Sequence, residues 1–203
     1  GVEACLTSVI PQDKKVLILN NGAYGERMQK ICDAYDVAHV DYNQEWGLPL
    51  DLHVVEKYLA DNAKDLSHMA FIHHETTVGI LNPLKDLCEL AHRYQLENIV
   101  DAMSSFAGMD INVTRDHVDF LVSSSNKCIQ GMAGISFVVA RLECLLKTKE
   151  IKRNFYFNLM ANHEYLNKNK QFLFTPPVQT LYALRQAINE YFAEGPQNRF
   201  ARY

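Results

Sequence analysis

The sequence predicts an α/β protein in three layers, with helices on both faces of a mostly parallel sheet that includes one antiparallel strand. Three observations predict it. Segments such as Lys15–Asn20 are nearly continuous apolar runs, the pattern of strands covered on both faces. Between such runs lie segments whose apolar residues recur at helical spacing. The two kinds alternate along the chain, as they do where helices cross over between parallel strands.

Taken in order, Val2–Ile10 places Val2, Leu6, Val9 and Ile10 at helical spacing and is ended by Pro11. Lys15–Asn20 is the first strand, and Asn21-Gly22-Ala23-Tyr24-Gly25 turns the chain into a helix whose inner face is Met28, Ile31, Cys32 and Tyr35. A second strand is expected over Val37–Val40, a helix over Asp51–Ala63 with Leu52, Val55 and Leu59 as its stripe, and a third strand over His68–His73. Glu75–Leu81 reads as a loop. Asn82-Pro83 reads as a helix start, an N-cap residue followed by proline at the first helical position. Asn98–Val100 and Asp119–Val122 are the next strands. Ile135–Ala140 follows too closely for a crossover and is expected to run antiparallel. Leu142, Leu145 and Leu146 suggest a short helix, and residues 150–175 an excursion that is helical around Leu159–Leu166. Pro177–Glu194 reads as a long helix turning Val178, Leu181, Ile188 and Phe192 inward, stopped by Gly195-Pro196.

Composition narrows the functions. At 203 residues the chain can bury a substantial core, and 48% hydrophobic with 22% charged residues is a globular balance. A net charge of −4 argues against a nucleic-acid partner, and no apolar run has the length of a membrane span. The five cysteines are scattered with no CxxC pair, which suggests free thiols in a reducing cytoplasm. No GxGxxG follows a strand and no GxxxxGK[ST] occurs, so dinucleotide and P-loop sites lack support. The chain opens without methionine inside a helical pattern, and is expected to be a piece of a longer protein.

The chemistry gathers around Ser123-Ser124-Ser125-Asn126-Lys127-Cys128-Ile129-Gln130-Gly131, where an apolar strand ends in small hydroxyl residues and delivers one lysine. Ligand clefts of open α/β sheets form at that edge. Val100-Asp101 ends another strand with an acid. A lysine that can link to an aldehyde and an acid that can partner a pyridinium nitrogen are together what pyridoxal phosphate requires. Tyr24, between two glycines at a third strand end, could lie against a flat ring. His73-His74-Glu75 is not expected to hold a metal, because neighbouring strand residues face opposite ways and HExxH is absent.

These stretches, with Glu75-Thr76-Thr77, Gly79-Ile80-Leu81-Asn82-Pro83 and Phe174-Thr175-Pro176-Pro177, resemble the class V aminotransferases of fold type I. Asn126-Lys127-Cys128-Ile129-Gln130-Gly131 is most similar to the branch that acts on 2-aminoethylphosphonate and pyruvate. The resemblance implies that Lys127 links to pyridoxal phosphate and shuttles a proton, and that Asp101 partners the ring nitrogen. It further implies that Tyr24 stacks on the ring, Thr76 lies near the 3′ oxygen and Asn126 near the phosphate. Thr175 would reach the phosphate held by a neighbouring copy, making a homodimer with shared sites. On this pattern residues 1–195 are a cofactor-binding large domain lacking its N-terminal part, and 196–203 begin the connection to a small domain. The phosphate loop and the carboxylate-binding arginine of the family would lie outside the chain. His74 and Val78 depart from the family's usual serine or cysteine and threonine. Two other activities stay open: an alanine–glyoxylate or serine–pyruvate aminotransferase, and a catalytically silent cofactor-binding or dimerising fragment.

Overall fold

The computed structural model describes residues 1–203. Helix α1 (Val2–Val9) leads to β1 (Lys15–Asn20), followed by α2 (Ala23–Ala34), β2 (His39–Asn43), α3 (Leu52–Asn62) and β3 (Leu66–Ile72). Two short strands, β4 (His74–Glu75) and β5 (Ile80–Leu81), pair antiparallel before α4 (Leu84–Arg93). Then come β6 (Glu97–Asp101), β7 (Phe120–Ser124), β8 (Ser136–Ala140), α5 (Leu142–Leu146), α6 (Leu159–Asn169), α7 (Val178–Glu194) and α8 (Pro196–Arg202).

The main sheet has the order β2-β1-β3-β6-β7-β8. Every pairing is parallel except β7–β8, where Phe120 lies opposite Ala140 and Ser124 opposite Ser136. The apolar strands split their residues by alternation. Leu17, Leu19, Met69, Phe71, Val100 and Leu121 pack with α3 and α4 on one face. Val16, Ile18, Ala70, Ile72, Ile99 and Phe120 pack with α1 and α2 on the other. Two cores separated by one sheet make the three layers. No helix is long and apolar enough to cross a membrane.

Several expectations are corrected. The second strand is His39–Asn43 rather than Val37–Val40. Asp36 takes a left-handed conformation and the Val37 N–H bonds back to the Cys32 carbonyl, so Val37 belongs to the end of α2. As an edge strand, β2 then tolerates Asp41, Tyr42 and Asn43. The Glu75–Leu81 loop contains the β4–β5 ribbon.

Asn82 does not cap α4, whose N-cap position is Pro83 without a side-chain bond. Its amide donates instead to the Ile72 carbonyl at 2.8 Å and exchanges bonds with Asn21. A buried carbonyl left without a donor costs about 1–3 kcal/mol, more than a typical missing cap at a partly wetted helix end.

Helix α7 spans nearly its expected range, but of its stripe only Leu181 is partly covered by this chain. Val178, Ile188 and Phe192 are exposed, at 47%, 38% and 67%. Only Ala187 is buried. Gly195, at φ 90°, ends α7, and Pro196 at the first helical position starts α8 at once, so the expected stop is also a start.

Candidate active site

Strands β1, β3, β6 and β7 all end on one edge of the sheet, and the residues just beyond them enclose a cavity of about 310 Å³. That volume lies within the range of small-ligand sites. Its walls include Tyr24, Arg27, His74, Thr76, Asp101 and Lys127. Four of the six site residues expected from the sequence thus meet here. Asn126 is exposed at the start of its loop and does not line this cavity. Thr175 lines a second cavity of about 390 Å³ beside β8, with Ile135, Phe137 and Phe174. The excursion carrying Thr175 lines that second cavity, which shares only Gly1 with the first.

Asp101 closes β6 between β3 and β7 and is 8% exposed. Its Oδ1 accepts from the Met103 N–H at 2.8 Å, while Oδ2 has no bond within the chain. Burial raises its carboxyl to about 6, opposed by the Met103 bond and assisted by the negative charge of Glu75. A cation placed against Oδ2 would reverse that effect.

Lys127 is exposed, and the backbone around it is the ordered part. Ser125, fully buried, bonds from its N–H to the Ile135 carbonyl and receives the Gly131 N–H on its own carbonyl at 2.7 Å. The Gln130 N–H closes onto the Lys127 carbonyl at 2.8 Å, with Gln130 itself left-handed. The Cys128 thiol donates to the Ser104 carbonyl at 3.2 Å, joining the lysine loop to the turn that follows Asp101.

Tyr24 sits in the first turn of α2, and the close approach of that turn to β1 and β4 explains its glycines. A Cβ on Gly22 would come within 2.4 Å of Glu75 Cγ, and one on Gly25 within 2.3 Å of Asn20 Oδ1. Glu75 is fully buried and acts as the cap of α2, a role the sequence did not disclose. Its Oε2 accepts from the N–H groups of Tyr24 and Gly25, and its Oε1 from the Thr77 hydroxyl. The signal was a lone acid after a buried strand with no cation near it, facing a glycine-rich helix start that offers unpaired N–H groups.

Arg27 was also missed. It follows Tyr24 by three residues, a spacing that shares one helix face, and its guanidinium lies 4.9 Å from the Tyr24 ring centre. The two histidines diverge as expected. His74 lines the cavity with its Nδ1 3.1 Å from the Ser104 hydroxyl. His73 is buried against the Ser105 hydroxyl, and burial first, then His74, push it down to about 4, so its imidazole is neutral near pH 7.

A sequence model of the family described as "Aminotransferase class-V" matches residues 2–203. The chain is 43% identical over 205 residues to a bifunctional phosphonoacetaldehyde hydrolase/aminoethylphosphonate transaminase of Clostridioides difficile (strain 630). That match covers all of this chain and 32% of the relative. It is 41% identical over 206 residues to a 2-aminoethylphosphonate–pyruvate transaminase of Bacillus cereus, covering all of this chain and 59% of that protein. The chain therefore spans 32% of the length of the first relative and 59% of the second. Among solved structures, the pyridoxamine–pyruvate aminotransferase of Mesorhizobium loti superposes with a TM-score of 0.90 at 26% identity. All of this chain and 52% of that one are covered. With its sequence matched nearly end to end and its fold shared, the chain belongs to the class V aminotransferase family.

Proposed function

We propose that the chain is the cofactor-binding part of an enzyme that transfers the amino group of 2-aminoethylphosphonate to pyruvate, yielding phosphonoacetaldehyde and alanine. The observation that carries this reading is the cavity in which buried Asp101 and exposed Lys127, from neighbouring strand ends, share walls with Tyr24. The two relatives named for aminoethylphosphonate transamination support the choice of substrate.

Pyridoxal phosphate is the cofactor of class V aminotransferases, and the residues fit it: a buried carboxylate with one free oxygen, a flat aromatic side chain and an accessible primary amine surround a cavity of suitable size. When bound, it supplies an aldehyde that captures amines and a ring that withdraws electrons from the substrate carbon. Asp101 Oδ2 would hold the proton on the ring nitrogen. Tyr24 would cover one ring face and exclude water from it. Lys127 Nζ would anchor the cofactor, then carry the proton from the amine-bearing carbon of the substrate to the cofactor, and carry one back in the second half of the cycle. Thr76 would orient the ring oxygen, and Asn126, next to Lys127 in the chain, would contact the phosphate.

Thr175 stays outside this chain's cavity, which suits a residue that serves a second copy, and the bare apolar stripe of α7 suits a homodimer. Residues 1–195 would form the large domain, and 196–203 would lead toward a second one. All five cysteines are free, consistent with a cytoplasmic enzyme.

The test is an absorption spectrum of the protein with added pyridoxal phosphate beside Lys127→Ala. A visible band that requires Lys127, and that 2-aminoethylphosphonate bleaches, is the expected result. A band of equal strength in Lys127→Ala would overturn the assignment, as would bleaching by alanine but not by 2-aminoethylphosphonate.

A further inference from the structure

The side chain of Lys127 is exposed, so its aim depends on the backbone that carries it. Residues 125–131 close on themselves through the Gly131–Ser125 and Gln130–Lys127 bonds. Ser125 ties the start of this closed loop to Ile135, and the part beyond Lys127 is tied to the rest of the molecule by a short set of side-chain bonds. One is the Cys128 thiol to Ser104. The others reach α8 and its end, and the central one is Arg199.

Arg199 is 3% exposed, an unusual place for a guanidinium. Its Nη1 donates to the Cys128 carbonyl at 2.8 Å and to the Ile129 carbonyl at 3.3 Å, across about seventy residues of sequence. Its Nε and Nη2 are held by Glu194, with Nε at 2.6 Å from Oε2, and its Cζ lies 5.1 Å from the Tyr191 ring centre. The guanidinium is therefore fixed on one side by the end of α7 and spent on the other on two successive carbonyls immediately after the lysine. Those carbonyls receive no backbone donor, and Ile129 itself is buried. The arginine fork divides its donors, Nε and Nη2 to Glu194 and Nη1 to both carbonyls, a division that a single lysine ammonium does not reproduce. The packing agrees: a Cβ on Gly131 would come to 2.9 Å from the Ser125 carbonyl and 3.5 Å from Ala187 of α7.

We infer that Arg199 is a positioning residue, which sets the direction of Lys127 by clamping the Cys128 and Ile129 carbonyls. Its consequence for chemistry rests on the reading of Lys127 given above. Its consequence for structure does not. Helix α8 is then a functional part of the site, although none of its residues lines the cavity.

The experiment is amide hydrogen exchange at Gln130 and Gly131 in Arg199→Gln, Arg199→Lys and Glu194→Gln, together with titration of the Lys127-dependent absorption band by pyridoxal phosphate. In Arg199→Gln both amides should exchange at least tenfold faster while the β3 and β6 amides stay unchanged. The pyridoxal phosphate needed for half the band should rise about tenfold. Arg199→Lys should fall between, and it carries the comparison if the glutamine variant does not fold. Glu194→Gln should leave the two amides near their original rates, because Arg199 keeps its carbonyls.

Unchanged exchange in both Arg199 variants would overturn the inference. So would a Glu194→Gln effect equal to that of Arg199→Gln, since Arg199 would then only anchor α8 to α7. If the original protein shows no Lys127-dependent band, the cofactor reading fails, and the exchange rates still decide the role of Arg199.

Discussion

The carboxylate of Glu75 accepts a hydrogen bond from the Tyr24 N–H at 3.1 Å, so a fully buried acid on β4 holds the first turn of α2 in place. The same carboxylate serves Gly25 and both donors of Thr77. Glu75→Ala leaves the buried Gly25 N–H and the half-buried Tyr24 N–H unmet, and should destabilise the fold by about 2–4 kcal/mol. Glu75→Gln keeps an acceptor and should lose about half as much. Urea denaturation measures both. Equal losses in the two variants would mean that side-chain volume, rather than hydrogen bonding, is what the site needs.

Gly25→Ala separates helix propensity from packing. Alanine favours a helix by about 1 kcal/mol over glycine. Here its Cβ would meet Asn20 Oδ1 at 2.3 Å and the Asn20 Cα at 2.8 Å. Overpacking against backbone typically costs about 1–3 kcal/mol, and the move of Asn20 also breaks its bond to the Gly22 N–H. A lower melting temperature is expected. A higher one would show that α2 shifts freely over β1.

Asp101 gives the cofactor-free protein a pH dependence of definite sign. Its folded-state carboxyl is raised by burial from 3.8 to about 6, so the folded chain holds this proton more tightly than the unfolded chain. The resulting stability is fully present below about pH 4 and is lost as pH rises to about 6. At about 1.4 kcal/mol per pH unit the loss is about 3 kcal/mol. Asp101→Asn should abolish that slope and be the more stable protein at pH 7.5. The check is the difference in urea midpoint between the two proteins at pH 4.5 and at pH 7.5; a difference independent of pH would refute the burial argument.

Tyr24 tests the stacking role. An offset aromatic pair contributes about 1 kcal/mol, so Tyr24→Ala should weaken pyridoxal phosphate binding about fivefold, and Tyr24→Phe should bind nearly as the original does. The cofactor titration of the Lys127-dependent band reads both. If phenylalanine is as poor as alanine, the hydroxyl and not the ring face makes the contact.

Much of this molecule is legible in its sequence. Lys15–Asn20 is read correctly to the residue, because an unbroken apolar run suits only a strand covered on both faces. The antiparallel return of Ser136–Ala140 follows from connection length alone. Lys127, Asp101 and Tyr24 are picked out by their places at or beyond the ends of apolar strands and Thr76 by the family resemblance, and the structure brings all four to the wall of one cavity.

What only the tertiary structure decided are the partners of groups distant in sequence. Asn82 looks like a cap and instead satisfies the Ile72 carbonyl. Glu75 looks like a loop residue and instead caps α2. Arg199 looks like part of a connection and instead holds the carbonyls behind Lys127. The physical reason is common to all three. Local periodicity specifies which face of an element is apolar, whereas a buried polar group takes whichever donor or acceptor folding brings within hydrogen-bond distance, and that neighbour is set by the whole chain.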